Sequence, residues 1–495
     1  MKTKVLVTIA TWGTKNDDYL SRLVAEYRSM PFDVDIFVLS NVARPATPGV
    51  EVVVRRPRKI WSLDRVKEAA RHPWLFLDHY SEWKRHLDFP FAHKQILADR
   101  VNQYDLFIFS EDDTLITERN LRAFMDVSQS LPENEVPGFL RFEEYPDGGR
   151  NYPEVHGIFH WDVESVRKRG PHTLASFTNL HSACYVLTQP QLQRAINSGG
   201  FLVGPHSEQY DPLCTAATDP YTQCGMQRLI SLTKVDDFLI HHLPNRYLGT
   251  KFGVDEKEFR RQIESLLRIG TNGHRPAPLF RTETKLEYGI YSKPYYEPAY
   301  AEVLSLVPEH TKTVLSIGCG SGATEARLAD RGIRVTGVPL DSVIAGCAEA
   351  KGVEIVQGDF ATARQKLTGR QFDCILLSNI LHLIPDPVAT LASFETLLSP
   401  KGLIVAVLPN TTQIGPKGRA IRGNGRIRHN GTYEQSGVHL ATPSSIRSWF
   451  RNAGMHVHQL RSVLTNRAQK YEFIAKTLPN SITAAEFIAL ARTKT

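Results

Sequence analysis

The chain has 495 residues, of which 42% are hydrophobic and 22% charged, and its formal net charge is +7. This length predicts two domains rather than one core, and the composition is typical of a soluble globular protein. No apolar run reaches the roughly 18 residues that a transmembrane helix needs, and the N-terminus lacks a signal-peptide pattern. Scattered cysteines without metal-ligand spacing predict reduced thiols, so we expect a cytoplasmic protein. The modest positive charge suits anionic partners without selecting one.

Residues 1–268 alternate short apolar strands with helical stretches, a pattern that predicts an α/β domain. The expected strands are 5–9, 34–39, 50–54, 104–109 and 238–240, with helices at 18–28 and 92–101. Residues 255–268 have the spacing of an amphipathic helix, which we expect to close this domain. A stretch that contains proline and glycine follows, so residues 269–293 are predicted to be an inter-domain linker.

Three adjacent acids, Glu111, Asp112 and Asp113, follow the apolar strand at 104–109. Crowded carboxylates at the end of a buried strand are costly unless a cation or solvent relieves their repulsion. Their hard oxygen atoms suit Mn²⁺ or Mg²⁺ bridging a diphosphate. The alternative is a solvated acidic turn before a helix. A pair of glycosidase carboxylates is disfavoured, because adjacent acids cannot flank a sugar from opposite faces.

The strand with its acidic end resembles the DXD-type motif of GT-A fold glycosyltransferases. This resemblance implies a GT-A-like mixed sheet with helices, a nucleotide-sugar donor and a divalent metal ion that neutralises the departing diphosphate. Asp113 would bind the metal, while Glu111 and Asp112 would contact the ribose or the waters on the metal. His241 or His242 would supply a late metal ligand, although both histidines also suit structural roles.

The same resemblance implies further donor and acceptor contacts. Asp219, which we place near the start of a helix, would be the catalytic base of an inverting enzyme, with Glu208 and Asp211 as rivals. An aspartate at a helix N-terminus is also a common cap, so this role stays open. Thr8 and Thr11 lie at the end of the first strand, where the family binds the nucleotide base.

A second α/β domain is predicted over residues 294–478, with residues 479–495 as a C-terminal tail. An apolar run at 314–317 ends at three glycines, Gly318, Gly320 and Gly322, and helical spacing follows. A strand, tight turn and helix in this order bring backbone N–H groups close to a nucleotide-like ligand. Further strands are expected at 334–338, 353–356, 372–378 and 403–408.

The segments IGCGSG, QGDF and FDCILLSNILHLIPDP, in this order, resemble the class I S-adenosylmethionine-dependent methyltransferases. The resemblance implies a Rossmann-like sheet, with the three glycines around the methionine and ribose of the cofactor. Asp359 would bond the adenine amino group, and Phe360 would lie beside the ring. The family usually has acids where this chain has Ser316 and Pro339, so Asp341 is predicted to reach the ribose instead.

The following region resembles a methyltransferase subfamily often encoded with surface-polysaccharide glycosyltransferases. The matching positions are Asn410, Tyr433, His439 and Thr442. Tyr433 and Arg426, the latter in a basic loop, would contact a phosphate-bearing acceptor, unless that loop is simply solvated. His439 and His382 are candidate general bases, because imidazole accepts a hydroxyl proton near neutral pH.

The chain is therefore predicted to be a bifunctional enzyme that adds a sugar to a glycan or lipid-linked glycan and O-methylates it. Two alternatives keep one activity each: a methyltransferase with a glycan-binding N-terminal domain, or a glycosyltransferase with a decayed methyltransferase domain. An RNA methyltransferase is disfavoured, because clustered basic residues with interleaved aromatics are lacking, so no nucleic-acid partner is predicted. Peripheral contact with a membrane surface remains compatible with the sequence.

Overall fold

The chain folds into two compact units in the computed structural model, which describes residues 2–55, 89–206, 209–412, 432–464 and 483–493. The first unit comprises Met1–Val155 and Ser165–Glu256, and the second comprises His156–Glu164 and Lys257–Thr495. Among the described helices, none is both long and apolar enough to cross a membrane. All six cysteines are free thiols.

The first unit is built on a five-stranded sheet with the spatial order β3-β2-β1-β4-β11. Its strands are β1 (Lys4–Thr11), β2 (Asp33–Ser40), β3 (Val50–Val54), β4 (Leu106–Glu111) and β11 (Cys184–Thr188). The first four strands are parallel, and β11 runs antiparallel to β4. Val5, Val7 and Ile9 of β1 are completely buried, as in a parallel sheet covered on both faces. The predicted strands of this sheet are confirmed.

The described residues of the first unit also form two smaller sheets and five helices. One sheet has the order β6-β12-β10-β9 and the other β14-β8-β7-β13-β5. Their strands are β5 (Thr114–Leu115), β6 (Glu135–Pro137), β7 (Leu140–Glu144), β8 (Arg150–Tyr152), β9 (Trp161–Arg169), β10 (His172–Phe177), β12 (Gln227–Ser231), β13 (Leu239–His242) and β14 (Val254–Asp255). The helices are α1 (Asp17–Ser29), α2 (Ala92–Ala98), α3 (Glu118–Ser128), α4 (Gln189–Asn197) and α5 (Pro212–Thr222).

The second unit contains a seven-stranded sheet with the order β17-β16-β15-β18-β19-β21-β20. Its strands are β15 (Thr313–Cys319), β16 (Arg334–Pro339), β17 (Glu354–Ile355), β18 (Phe372–Ser378), β19 (Leu398–Pro409), β20 (Met455–Leu464) and β21 (Ala484–Thr493). The first five are parallel, whereas β21 is antiparallel to both β19 and β20. The strand order reverses direction beside β15, and ligands of open α/β sheets bind at such a switch point.

Eight helices belong to the described part of the second unit: α6 (Glu256–Asn272), α7 (Ala301–Leu306), α8 (Ala323–Ala329), α9 (Ser342–Glu349), α10 (Phe360–Lys366), α11 (Pro387–Glu395), α12 (Tyr433–Ser436) and α13 (Pro443–Asn452). The Thr442 side chain caps α13 by accepting a hydrogen bond from the Ser445 N–H, which explains why the helix begins there.

Three sequence predictions about the domain ends need correction. Residues 479–495 are not a tail, because Ala484–Thr493 forms β21 inside the sheet, where Phe487 and Ile488 are each 1% exposed. Residues 269–293 are not a free linker, because Leu279 is buried and its N–H donates to the Leu340 carbonyl oxygen at 2.9 Å. Helix α6 lies in the second unit rather than closing the first, and its Glu258 pairs with Lys351 at 3.3 Å.

Candidate functional site

The acidic motif of the first unit lies at the carboxyl edge of its parallel sheet, where β4 pairs with β1. Asp112 and Asp113 are 6% and 3% exposed. Burial, followed by the charge of Asp113, raises the pKa of Glu111 to about 7. Burial also raises the pKa of Asp112, which accepts a hydrogen bond from Asn16 at 2.8 Å. A solvated acidic turn is therefore excluded, since these carboxyl groups lie inside the unit.

His242 is the histidine that faces the acidic motif. Its Nε2 lies 3.5 Å from an Asp113 carboxylate oxygen, and its Nδ1 lies 2.7 Å from Glu143. Burial acts to lower the pKa of His242, but the hydrogen bonds with both carboxylates outweigh it and raise that pKa. His241 points elsewhere, with its Nε2 3.2 Å from the Asn245 side-chain oxygen. Of the two predicted histidines, the structure thus brings only His242 to Asp113.

The fit of this pair to a metal ion is partial. Asp113 and His242 present a carboxylate oxygen and an imidazole nitrogen, which are common metal donors, and Glu143 orients the ring from behind. However, the Arg246 guanidinium lies 3.1 Å from the same Asp113 oxygen and adds positive charge there. Within the described ranges, no group of three or more His, Cys, Asp or Glu side chains is arranged to hold a metal. A Mn²⁺ or Mg²⁺ site here stays a prediction.

The burial and the ion pair of Asp219 argue against its predicted role as catalytic base. The residue is completely buried in α5, where its carboxylate pairs with the buried Lys94 ammonium. Its other oxygen lies 2.9 Å from His206 Nε2. Asp211, one of the rivals, caps the same helix by accepting from two backbone N–H groups, whereas Glu208 lies outside the described residues. Asp219 is thus engaged in a buried ion pair, and a base needs access to its substrate.

The two threonines of β1 differ in their surroundings. Thr8 is completely buried, and its hydroxyl donates to the Ile108 carbonyl oxygen at 2.9 Å, so it joins strands rather than facing a ligand. Thr11 ends the strand and hydrogen bonds with Asp112. It also accepts a hydrogen bond from Arg44 at 3.0 Å. Sequence reasoning missed Arg44, which joins the carboxyl ends of β1 and β2 by also donating to Ser40.

The glycine turn of the second unit follows β15 and needs each of its three glycines. Gly318 and Gly322 have φ angles of +75° and +82°, which other residues rarely adopt. A Cβ on Gly320 would lie 2.1 Å from the Tyr295 carbonyl oxygen. That oxygen instead accepts a hydrogen bond from the Ser321 N–H at 2.8 Å. The turn is therefore a close-packed backbone feature at the carboxyl edge of the sheet, as the sequence predicts.

Asp359 and Phe360 lie at the start of α10. The Asp359 side chain caps this helix by accepting from the Thr362 N–H at 2.8 Å, and this hydrogen bond lowers its pKa. Phe360 stacks on Phe280 with ring centroids 5.8 Å apart. The cap uses one carboxylate oxygen of a partly exposed side chain, so the predicted contact with an adenine amino group is compatible with this geometry.

Asp341, which is predicted to reach the ribose, lies at the start of α9. It caps α9, and one carboxylate oxygen accepts from the backbone N–H groups of Val343 and Ile344, both at 2.8 Å. The side chain is 5% exposed, and burial raises its pKa. A hydrogen bond with Tyr295 engages it further. Aspartate favours a helix N-cap, and the contact with the ribose stays a prediction.

A family model described as a methyltransferase domain matches residues 292–460. The matched range contains the glycine turn, Asp359 and strands β15–β19, in the order that the sequence predicts. Residues 292–460 are a methyltransferase domain. Its cofactor is S-adenosylmethionine, which the glycine turn and the carboxyl edge of the sheet suit.

The chain is also similar to ubiquinone biosynthesis O-methyltransferases. That of Stutzerimonas stutzeri (strain A1501) is 28% identical over 170 residues, which are 32% of this chain and 71% of the relative. That of Xylella fastidiosa (strain 9a5c) is 29% identical over 162 residues, which are 31% of this chain and 65% of the relative. Among solved structures, an S-adenosylmethionine-dependent methyltransferase from Mesorhizobium loti matches 39% of this chain and 96% of its own, with 19% identity and a TM-score of 0.29.

The predicted acceptor residues of the methyltransferase domain gather around the loop after β18. The Tyr433 hydroxyl donates to the Leu383 carbonyl oxygen at 2.8 Å, and the Tyr433 ring stacks on His439 at 4.3 Å. His439 Nε2 lies 3.0 Å from the Ile384 carbonyl oxygen, so this nitrogen carries the proton and Nδ1 is the basic atom. Burial lowers the pKa of His382 to about 4. Arg426 and the rest of the predicted basic loop lie outside the described residues.

Sequence reasoning missed two polar groups beside the glycine turn. The first is a buried Lys293 paired with Glu297, which also accepts from the Asn379 side chain at 2.9 Å. Asn379 has a φ of +56° at the end of β18, which marks a constrained position. The second is Glu325 of α8, which accepts a hydrogen bond from Ser316 at 2.6 Å. Lys293 and Glu297 are only four residues apart, but the contact of Glu297 with Asn379 joins separate parts of the chain. The hydrogen bond between Ser316 and Glu325 likewise joins a strand to a helix, so no local pattern reveals either group.

Proposed function

We propose that the methyltransferase domain transfers the methyl group of S-adenosylmethionine to a hydroxyl oxygen of an acceptor. The observation that carries this proposal is the placement of the glycine turn and Asp359 at one carboxyl edge of the sheet. The printed names of the relatives, which are O-methyltransferases, support an oxygen acceptor. Because a glycosyltransferase-like motif shares the chain, the favoured acceptor is a sugar hydroxyl of a glycan or lipid-linked glycan.

In this reaction, the bound cofactor supplies an electrophilic methyl group on its sulfonium sulfur. The acceptor oxygen would take this methyl group as the carbon–sulfur bond breaks, and the hydroxyl proton would pass to a base. His439 is the better base of the two predicted histidines, because its Nδ1 can accept a proton while Nε2 donates to the Ile384 carbonyl oxygen. His382 is 1% exposed and a weak base, since its pKa is about 4.

The test of the proposed function compares two helix caps in one domain. Asp359→Ala and Asp386→Ala each remove an aspartate N-cap, at α10 and α11. Each is expected to cost about 1 kcal/mol of stability. Only Asp359→Ala should also weaken S-adenosylmethionine binding, by about tenfold, because it removes a hydrogen bond to adenine. Isothermal titration calorimetry checks this result, and S-adenosylhomocysteine formation with hydroxyl-bearing glycans checks the transfer. No cofactor binding by the wild-type chain would contradict the proposal.

The first unit supports a second candidate, a metal-dependent glycosyltransferase. The specific observation is the Asp113–His242 pair, 3.5 Å apart, at the carboxyl edge of a parallel sheet. These two residues would hold the divalent metal ion, which would neutralise the nucleotide diphosphate that leaves the sugar. Sugar transfer and methylation in one chain would raise the effective concentration of the acceptor for the second step.

A thermal-shift panel with Mn²⁺ and UDP, GDP, CMP or dTDP tests this candidate. At about 100 times its dissociation constant, one metal–nucleotide pair should stabilise the wild-type unit by about 2.7 kcal/mol. Asp113→Asn should abolish that shift. Asp126→Asn, which alters an exposed carboxylate paired with Lys234, should retain it. No shift with any pair would favour the alternative of a non-catalytic glycan-binding unit.

A further inference from the structure

Glu325 places a buried carboxylate against the strand that leads into the glycine turn of the methyltransferase domain. It belongs to the first turn of α8, and its side chain accepts a hydrogen bond from the Ser316 hydroxyl at 2.6 Å. Ser316 lies on β15, two residues before Gly318. The two residues are 7% and 2% exposed. The carboxylate therefore reaches back from the helix to the strand that ends in the turn.

No lysine or arginine of the described chain forms an ion pair with Glu325. The buried Lys293 is already paired with Glu297. Burial raises the pKa of the Cys319 thiol, the charge of Glu325 raises that pKa further and the charge of Lys293 lowers it. Cys319 lies between the first two glycines, so both charges are near the turn. Within the described residues, the Glu325 carboxylate accepts a side-chain hydrogen bond from the neutral Ser316 hydroxyl alone. A buried carboxylate with such a partner is costly, and a bound cation would relieve that cost.

We propose that Glu325 receives the α-ammonium group of the cofactor's methionine moiety, with Ser316 holding the carboxylate in position. This inference deepens the proposed function and rests on it. S-adenosylmethionine carries an ammonium group at one end, and its methionine part is the portion expected at the glycine turn. The acid that related sequences place on the strand at position 316 is thus supplied here from α8. The contact is a charge-assisted hydrogen bond, which is stronger than a neutral one.

The experiment measures binding of three ligands to the full chain by isothermal titration calorimetry. S-adenosylmethionine and S-adenosylhomocysteine both carry the ammonium group, whereas 5′-methylthioadenosine lacks the amino-acid portion. Glu325→Gln should weaken binding of the first two by about tenfold and leave the third unchanged. Asp330→Asn, an exposed carboxylate just after the same helix, should change none. Adding Ser316→Asp to Glu325→Gln should restore binding, because it returns a carboxylate to the same place.

Equal weakening of all three ligands would overturn the inference, since it would indicate a general distortion of the turn. Weakening of S-adenosylmethionine alone would also overturn it, because the sulfonium and not the ammonium would be the group recognised. Unchanged cofactor binding by Glu325→Gln would also overturn the inference. So would a double variant, Glu325→Gln with Ser316→Asp, that binds the cofactor no better than Glu325→Gln alone. If the wild-type chain bound no cofactor, the proposed function itself would fail, and this outcome is distinct from a failure confined to Glu325.

Discussion

His382 is a buried histidine whose ring is shielded from solvent. It is 1% exposed, its Nε2 lies 2.9 Å from the Tyr291 carbonyl oxygen, and its Nδ1 has no hydrogen-bond partner within the described residues. Burial lowers its pKa to about 4 from an ordinary value of 6.5. The neutral ring is therefore favoured in the folded chain, while the unfolded chain takes up a proton near the ordinary pKa.

This shift predicts a loss of stability on acidification. Between pH 6.5 and about 4 the unfolded state binds more protons than the folded state, so stability falls as the pH decreases through this window. The expected loss from His382 between about pH 7 and about pH 5 is about 2 kcal/mol. His382→Gln, which cannot titrate, should flatten this part of the profile. Urea unfolding of both proteins at the two pH values checks the prediction. It would be contradicted if the free energy of unfolding changed by the same amount with pH in both proteins.

At the level of elements, the parallel strands could be predicted and many antiparallel ones could not. The strands β1, β4, β15 and β18 are nearly continuous apolar runs, because parallel sheets are covered on both faces. By contrast, β9 carries Glu164 and Arg167 among its apolar residues and has no such run. The strand β21 was missed because its place between β19 and β20 depends on pairing with distant segments, which no local pattern reveals.

The candidate site shows the same division between local and distant signals. Gly318, Gly320 and Gly322 could be predicted because a strand, turn and helix are contiguous in sequence. The pairing of Asp113 with His242 was expected only from the resemblance. Glu325 could not be found, since its position depends on a hydrogen bond to the preceding strand.

At the scale of the whole chain, the second unit includes residues that precede the methyltransferase domain. The segment His156–Glu164 lies in this unit, as does α6. Gln262 of α6 accepts a hydrogen bond from Trp161 at 3.1 Å and another from Tyr296 at 3.0 Å. A side chain of α6 therefore ties the early segment to the chain just before the glycine turn. The folding unit extends further toward the N-terminus than the match at 292–460 suggests.

This extension predicts different behaviour for two fragments of the chain. Two fragments that both lack His156–Glu164 can be compared. A fragment of residues 257–495 keeps the packing of α6, whereas one of residues 269–495 loses Phe259, Ile263 and Leu266, which are 0%, 4% and 0% exposed. Burial of three such side chains contributes about 5–8 kcal/mol, which is comparable with the total stability of a domain. We expect the longer fragment to melt cooperatively and the shorter one to lack a cooperative transition in circular dichroism. Equal melting temperatures would mean that α6 adds no stability, because only its contacts distinguish the two fragments.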